Sequence, residues 1–529
     1  MPTRLFGAVA AAVLITAASA LSAAPATAAP IPGGQITTLF IPGADGVRLN
    51  AIITAPPDIG THKVPLVLQP SGWGMPAMGS IGSAYKLSSG ADFVSIEYTA
   101  RGMYLSEGEV DMLGRKDAED ASALIDWAIA NLNVDPERIA VAGGSYGAGM
   151  ALIAAAHDPR VRAVVSDSPP GDVAEALAPN GTPKTGGPIA LAAAGAATNR
   201  FSAELVERGL RAIMGNDATA FALPHGKLLA DAIPKLNANG TAVFLAHDWQ
   251  DSLLPSGPVY TMFDQLTGPR MLYMRPGDHS TGGGGGQVAG LPNPIWDAGI
   301  RWLDHFVNGA DNGIDREPVV NIVAANGGLT GPHVHYPSVA AALAEPTSFA
   351  LSTPAAGVLG ANPAESWVQP LVSGPTIAVS AVPYVSGVLA QLGVTPPTPL
   401  GAVDRNLAGV WRTAPFATGG LVSGAPKLNL TVLPPSSDLT LIGILWDEAP
   451  DGAGTPITYW PLTRHGLIPG ASTSMEWQLA PTYWNLAPGH RLTLTVTSQD
   501  PVPFTSATPM GSIVTFAAPS TVDIPVHAP

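Results

Sequence analysis

The sequence predicts a two-domain protein, an α/β domain followed by an all-β domain. Three observations lead there. A strand–turn–helix signature surrounds Ser145, a β-α rhythm runs between about residues 64 and 308, and past about residue 317 the chain turns to short strands separated by turn signals. At 529 residues the chain is too long for one hydrophobic core.

Residues 1–30 are expected to be an export signal outside the fold. Arg4 gives the positive start, residues 6–21 are apolar and uncharged, and Ala26-Thr27-Ala28 offers small residues for cleavage, with a cut after Ala20 as the alternative. The apolar run is short and rich in Ala rather than Leu, which favours cleavage over an uncleaved anchor. A secreted protein with no stable membrane insertion after cleavage is therefore expected. The 40 acidic residues against 25 basic ones give a net charge of −15, a poor match for nucleic acid or an anionic membrane. The absence of cysteine excludes disulfides, thiolate metal sites and thiol nucleophiles.

The α/β domain is expected over residues 31–316. Residues 36–56 alternate apolar and polar around Asp45-Gly46 and read as a hairpin. Residues 64–68 and 93–98 are short apolar strands, and the first ends at Pro70-Ser71-Gly72-Trp73-Gly74, a loop at a strand's carboxyl end where open α/β sheets bind ligands. Residues 117–131 have the periodicity of an amphipathic helix. Residues 138–142 form the strand that enters Gly143-Gly144-Ser145-Tyr146-Gly147, and the small-residue stretch after it is helical. This context reads as a nucleophile elbow; the rival reading is a glycine-rich turn whose serine caps a helix. After a strand at 161–166, residues 171–240 are Ala-rich and helical without a clear strand, and are read as a helical cap insertion; two long crossover helices are the alternative. Strands at 242–246 and 271–274 and a helix at 296–308, stopped by Gly309, close the domain. Gly282 to Gly286 is expected to be a flexible loop that opens no helix.

Residues 317–529 are expected to form a β-sandwich of jelly-roll type, with runs at 319–323, 427–433, 439–446, 457–462, 475–479, 492–497 and 512–516.

A serine hydroxyl needs an imidazole to take its proton, and the imidazole needs a carboxylate to fix its tautomer. Behind an elbow of this kind the chain order is Ser, acid, His. The loop after the 242–246 strand carries Asp251, and the loop after 271–274 carries His279, so we assign Asp251 as the acid and His279 as the general base. Asp248, nearer the strand end, and Asp167 are the rival acids. The Tyr146 backbone N–H is the first expected oxyanion donor, and the loop at 70–74 is expected to supply the second. There is no H-E-x-x-H and no clustered His/Asp set, so neither a metal nor another cofactor is expected.

In their order these pieces resemble the family of X-Pro dipeptidyl-peptidases, cocaine esterase and related acyl hydrolases. Asp45-Gly46-Val47-Arg48-Leu49 is similar to the family's opening D-G-V-R-L, and Arg101-Gly102 with Ser106-Glu107-Gly108 to its R-G-x-G-x-S-x-G segment. Gly143 to Gly147 matches its G-x-S-Y-G, and Trp249-Gln250-Asp251 its W-x-D acid loop. Trp302-Leu303-Asp304-His305 with Asn308-Gly309 resembles its closing helix, and residues 438–452 and Gly489-His490-Arg491 resemble strands of its C-terminal jelly roll. The resemblance implies an α/β-hydrolase domain with a helical cap, a jelly-roll domain, and Ser145, Asp251 and His279 as the triad. The family often sets a tyrosine hydroxyl in the oxyanion hole after a proline. Here Ser71 follows Pro70, so Ser71, the Trp73 indole N–H or a backbone N–H must replace it. Loss of one such donor costs about 3 kcal/mol.

The leading expectation is a secreted serine hydrolase acting on a small ester, amide or peptide through an acyl-enzyme. X-Pro dipeptide release is the alternative. It requires an anion for the substrate amine, for which Glu175, Glu204, Glu207, Asp217 and Asp231 are candidates. The reading of another class is an inactive hydrolase fold that binds a glycan or cell-wall polymer through Trp460, Trp477, Tyr483 and Trp484.

Overall fold

The computed structural model describes residues 34–214, 228–360 and 366–527. The export-signal expectation, and Asp217, lie outside the described residues.

The first domain is built on a ten-stranded sheet. Its strands are β1 (Ile36–Pro42), β2 (Arg48–Thr54), β3 (Val64–Pro70), β4 (Val94–Tyr98), β5 (Val134–Gly144), β6 (Val161–Asp167), β7 (Ala242–Asp248), β8 (Arg270–Arg275), β9 (Val320–Val323) and β10 (His333–Tyr336). Their order is β1-β2-β4-β3-β5-β6-β7-β8-β9-β10. From β4 through β9 all neighbours are parallel, and β1, β2 and β10 add antiparallel edges. The run at 319–323, expected to open the β-sandwich, instead joins this sheet as β9 beside β8, and β10 follows it there. Every residue of β3, β4 and β7 is buried. The runs of β3 and β7 are accordingly apolar until their carboxyl ends, as parallel strands covered on both faces require, whereas β4 alternates and buries Ser95 and Glu97.

The helices are α1 (Ile81–Gly90), α2 (Arg115–Asn131), α3 (Tyr146–His157), α4 (Val173–Leu177), α5 (Gly186–Ala196), α6 (Ala203–Met214), α7 (Leu228–Asn239), α8 (Gly257–Met262), α9 (Gly284–Ala289) and α10 (Pro294–Asn308). α4 to α7 all fall between β6 and β7. α10 begins where the Asn293 side chain accepts the Ile295 and Trp296 N–H groups, and it ends at Gly309 with φ 74°.

The glycine run differs from expectation: it opens α9. Packing overrides weak helix propensity here. A Cβ on Gly286 would lie 2.7 Å from Asn293 and 2.8 Å from Trp296, and one on Gly283 would overlap the Asp167 carboxylate. Gly282, Gly283 and Gly286 therefore lie tightly packed beside the loop that carries His279.

The C-terminal domain is all-β, with two antiparallel sheets of eight and five strands. The long strand Ile513–His527, expected only over its first turnings at 512–516, pairs with Pro346–Leu351, Val368–Val372, Gly420–Gly424 and Lys427–Leu433 and ties the larger sheet together. Leu439–Glu448, buried along its whole length, centres the smaller sheet between Ala453–Arg464 and Arg491–Thr497. Two short helices, Val339–Ala342 and Ser386–Gln391, interrupt the β pattern. No helix among the described residues is long and apolar enough to cross a membrane.

Candidate active site

β5 leads into a turn at Ser145, which holds φ 59° and ψ −127°, and α3 starts at the next residue. Such a backbone is costly for a residue with a side chain and persists only where its surroundings enforce it. The flanking glycines show what enforces it. A Cβ on Gly143 would meet the Gly147 carbonyl at 2.5 Å, and one on Gly147 would overlap the Pro70 carbonyl. Tyr146 anchors the far side: its hydroxyl donates to Asp117 Oδ2 of α2 at 2.6 Å and accepts the Leu113 N–H at 3.0 Å.

The Ser145 hydroxyl meets His279 Nε2 at 2.6 Å, and His279 Nδ1 meets Asp251 Oδ2 at 2.8 Å. The other Asp251 oxygen accepts the N–H groups of Leu253 and Leu254 at 2.9 and 2.8 Å. Burial pushes the Asp251 pKa up, but the charge and hydrogen bond of His279, the His247 charge and the Leu254 N–H hold it below the usual carboxylate range. Burial pushes the His279 imidazole down; the adjoining Asp251 carboxylate more than reverses that, with Asp278 and Asp248 adding to it, so its pKa is raised.

The rival acids stand elsewhere. Asp248 faces Arg275 at 3.3 Å and accepts the Gly282 N–H, and the buried Asp167 carboxylate abuts Gly283. His247 is buried, with its ring nitrogens near the carbonyls of Asp248 and Pro169. His305, His335, His465 and His490 are engaged with Ala310, Asn321, Asp438 and Asp447.

Two family models match in tandem. Residues 45–281 match that of the X-Pro dipeptidyl-peptidase (S15 family), and residues 312–519 match the X-Pro dipeptidyl-peptidase C-terminal non-catalytic domain. The chain belongs to the X-Pro dipeptidyl-peptidase/cocaine esterase-like family. It is a serine hydrolase. Solved structures of similar architecture include an aminopeptidase from the marine sediment archaeon Thaumarchaeota archaeon (18% identity, TM-score 0.71, covering 96% of this chain and 99% of that one). A CocE/NonD family hydrolase from Staphylococcus aureus is 14% identical with TM-score 0.72, covering 93% and 94%. An alpha-amino acid ester hydrolase is 17% identical with TM-score 0.69, covering 95% and 98%. At these identities the likeness is one of fold. No curated protein matches the chain.

Of the expected replacements for the family's oxyanion tyrosine, both side chains have hydrogen-bond partners and one donor is already committed. The Trp73 indole N–H donates to the Leu191 carbonyl at 2.9 Å. The Ser71 hydroxyl is buried and accepts the Ala100 N–H at 3.1 Å, while the Ser71 backbone N–H donates to the Tyr98 carbonyl. These bonds draw Ser71 toward the end of β4, and the Trp73 bond corrects the assignment of its indole N–H to the oxyanion hole. The backbone of Gly72 lies beside the nucleophile, where an added Cβ would lie 3.9 Å from Ser145 Cβ and from the Gly144 carbonyl oxygen.

Ser145 and His279 open into a cavity of about 320 Å³. Its walls are apolar and come from the 70–74 loop (Trp73), α4 (Val173, Leu177), α5 (Leu191) and α6 (Leu205, Leu210). Among the described residues no carboxylate lines it, and the charged lining residue Arg208 pairs with Glu204 at 2.8 Å. The other candidate anions are placed apart. Glu175 accepts the Trp460 indole N–H at 2.7 Å and the Asn180 N–H, and Glu207 and Asp231 are exposed.

The aromatics considered as a sugar-stacking surface are core residues. Trp460, Trp477, Tyr483 and Trp484 are all no more than 9% exposed. Their polar atoms bond to Glu175, the Trp460 carbonyl, Tyr336 and Asp447. Sequence reasoning did not find Lys184, whose buried Nζ donates to the Ser252 and Leu253 carbonyls of the acid loop at 2.9 and 3.1 Å. A lone lysine in an Ala-rich stretch carries no signal of such a role.

Proposed function

We propose that the chain hydrolyses carboxylic esters of apolar acyl groups through an acyl-enzyme on Ser145, outside the cell. The continuous Ser145–His279–Asp251 hydrogen-bond relay, facing an apolar cavity, carries this reading. Ser145 Oγ attacks the ester carbonyl carbon while His279 Nε2 takes its proton. The C–O bond to the alcohol then breaks, and His279 returns the proton to the departing oxygen. Water repeats the sequence on the acyl-enzyme and releases the acid and free Ser145. Asp251 keeps the His279 proton on Nδ1 and stabilises the imidazolium. The Tyr146 N–H and the backbone of the Gly72–Trp73 segment are the oxyanion donors. α4 to α7, within residues 171–240, act as a cap that shapes the acyl site between β6 and β7.

X-Pro dipeptide release is the second reading, favoured by the family match. A free substrate amine needs a facing anion, and the described walls of the cavity offer none. Purified enzyme is to be assayed on p-nitrophenyl acetate, p-nitrophenyl octanoate and an Ala-Pro chromogenic peptide, with Ser145→Ala as control. The proposal expects kcat/KM highest on the octanoate; turnover confined to the peptide would overturn it. The apolar, uncharged run near the start of the chain supports export. An N-terminus beginning after Ala20 or Ala28 in the culture fluid would bear that out.

A further inference from the structure

The C-terminal domain meets the loops of the reaction machinery at Ser252, next to the acid, and at Asp278, next to the base. Every polar group of Ser252 is engaged. Its N–H and its hydroxyl both donate to Asp278 Oδ1, at 2.9 and 2.7 Å, and its carbonyl accepts Lys184 Nζ at 2.9 Å. The Ser252 hydroxyl oxygen accepts the backbone N–H of Tyr384, from the C-terminal domain, at 3.1 Å. Asp278 Oδ1 also accepts the His279 N–H at 2.8 Å. A single carboxylate oxygen therefore joins the loop that carries Asp251 to the loop that carries His279.

Two features show that the C-terminal domain is fitted to this joint. Tyr384 holds φ 65°, a left-handed conformation that a side-chain-bearing residue adopts at a cost. Gly387, in the helix Ser386–Gln391, lies so near that a Cβ there would sit 2.7 Å from Asp278 Cβ and 2.8 Å from its Cα and N. No side chain fits at 387 unless the His279 loop moves. The segment behind Lys184 is tied to the same domain, Thr185 N–H donating to the Pro503 carbonyl at 2.9 Å.

We propose that Asp278 is a positioning residue that clasps the acid loop to the base loop, and that the 384–387 segment of the C-terminal domain seats this clasp and so sets the geometry of the triad. This rests on the triad reading given above. Neither Asp278 nor Gly387 lines the acyl cavity, so the clasp acts on turnover rather than on substrate affinity. A displacement of the order of an ångström between reacting groups costs about 10²-fold in rate.

The experiment compares kcat and KM on an activated ester for Asp278→Ala, Asp278→Asn, Ser252→Ala and Gly387→Ala in the full chain, with thermal melts to show that each is folded. Asn keeps an acceptor oxygen in the place of Oδ1. The proposal expects Asp278→Ala to lose at least tenfold in kcat with KM within twofold, and Asp278→Asn to recover most of that loss. Ser252→Ala and Gly387→Ala are expected to lose kcat several-fold, again without a change in KM. Wild-type kcat in folded Asp278→Ala or Gly387→Ala would overturn the proposal, as would a loss that appears in KM. If Asp278→Ala does not fold, Gly387→Ala decides, since it alters only the C-terminal domain. Ser145→Ala run in parallel separates the two readings: residual turnover in that variant would defeat the triad itself, whereas its inactivity beside a fully active Gly387→Ala defeats only the clasp.

Discussion

His279 is held between opposing influences, and their balance sets the pH at which the enzyme works. Burial favours the neutral ring, while the Asp251 charge 2.8 Å away favours the imidazolium and wins. The base must be neutral to accept the Ser145 proton, so kcat/KM is expected to fall as pH drops through a value above the ordinary histidine pKa of about 6.5. Asp251→Asn removes the charge that raises it. A pH–rate profile of that variant is expected to show the acid limb moved to lower pH, together with a drop in kcat on the order of 10⁴-fold. Trp73→Phe gives the opposite kind of test. Its indole N–H serves the Leu191 carbonyl rather than the reacting oxygen, so kcat on an activated ester is expected to stay within about threefold of wild type, well short of the 10²–10³-fold loss of an oxyanion donor. These three side chains were legible in the sequence because each stands at a fixed offset from a strand end. The Trp73 indole's engagement was not recoverable from sequence, since nothing in the run 70–74 tells which neighbour a polar group has already bonded.

The elbow was the most legible element, because steric need leaves so little choice of residue. Gly143 and Gly147 each face a backbone carbonyl where any side chain would collide. Gly282, Gly283 and Gly286 of the run at 282–286 have the same physical origin, which was missed because nothing in the run shows which side chains, Arg275, Asp167, Asn293 and Trp296, pack against it. α6 offers a test of the acyl site. Gly209 lines the cavity, and an added Cβ there meets nothing within 4 Å. Gly209→Leu is therefore expected to grow into the acyl site without strain. It should shift the chain-length optimum of a p-nitrophenyl ester series downward, while helix propensity contributes up to about 1 kcal/mol of added stability. An unchanged chain-length profile would place the acyl chain away from α6.

Across the whole molecule the succession of an α/β part and an all-β part followed from the change in periodicity, but the run at 319–323, read as the start of the β-sandwich, is β9 of the ten-stranded sheet. The closeness of the two parts did not follow from it, because the contacts that join them, such as Gly387 against Asp278, carry no pattern in sequence. Several carboxylates are buried with their pKa values raised by desolvation. Glu97 and Asp248 are pushed up to about 8 and Asp117 to about 7. In the unfolded chain these groups ionise near pH 4. The folded state therefore binds more protons between about pH 4 and pH 8, and their contribution to stability is full below that window and is lost as pH rises through it. The melting temperature is expected to decline from pH 5 to pH 8, and less steeply in Glu97→Gln. All of the chemistry above nonetheless depends on Ser145 being the group that is acylated. Labelling with a fluorophosphonate followed by peptide mass spectrometry measures this directly. A single adduct on the peptide containing Ser145, absent in Ser145→Ala and slowed in Asp251→Asn, is the predicted result; an adduct at another serine, or wild-type ester hydrolysis by Ser145→Ala, would contradict the account.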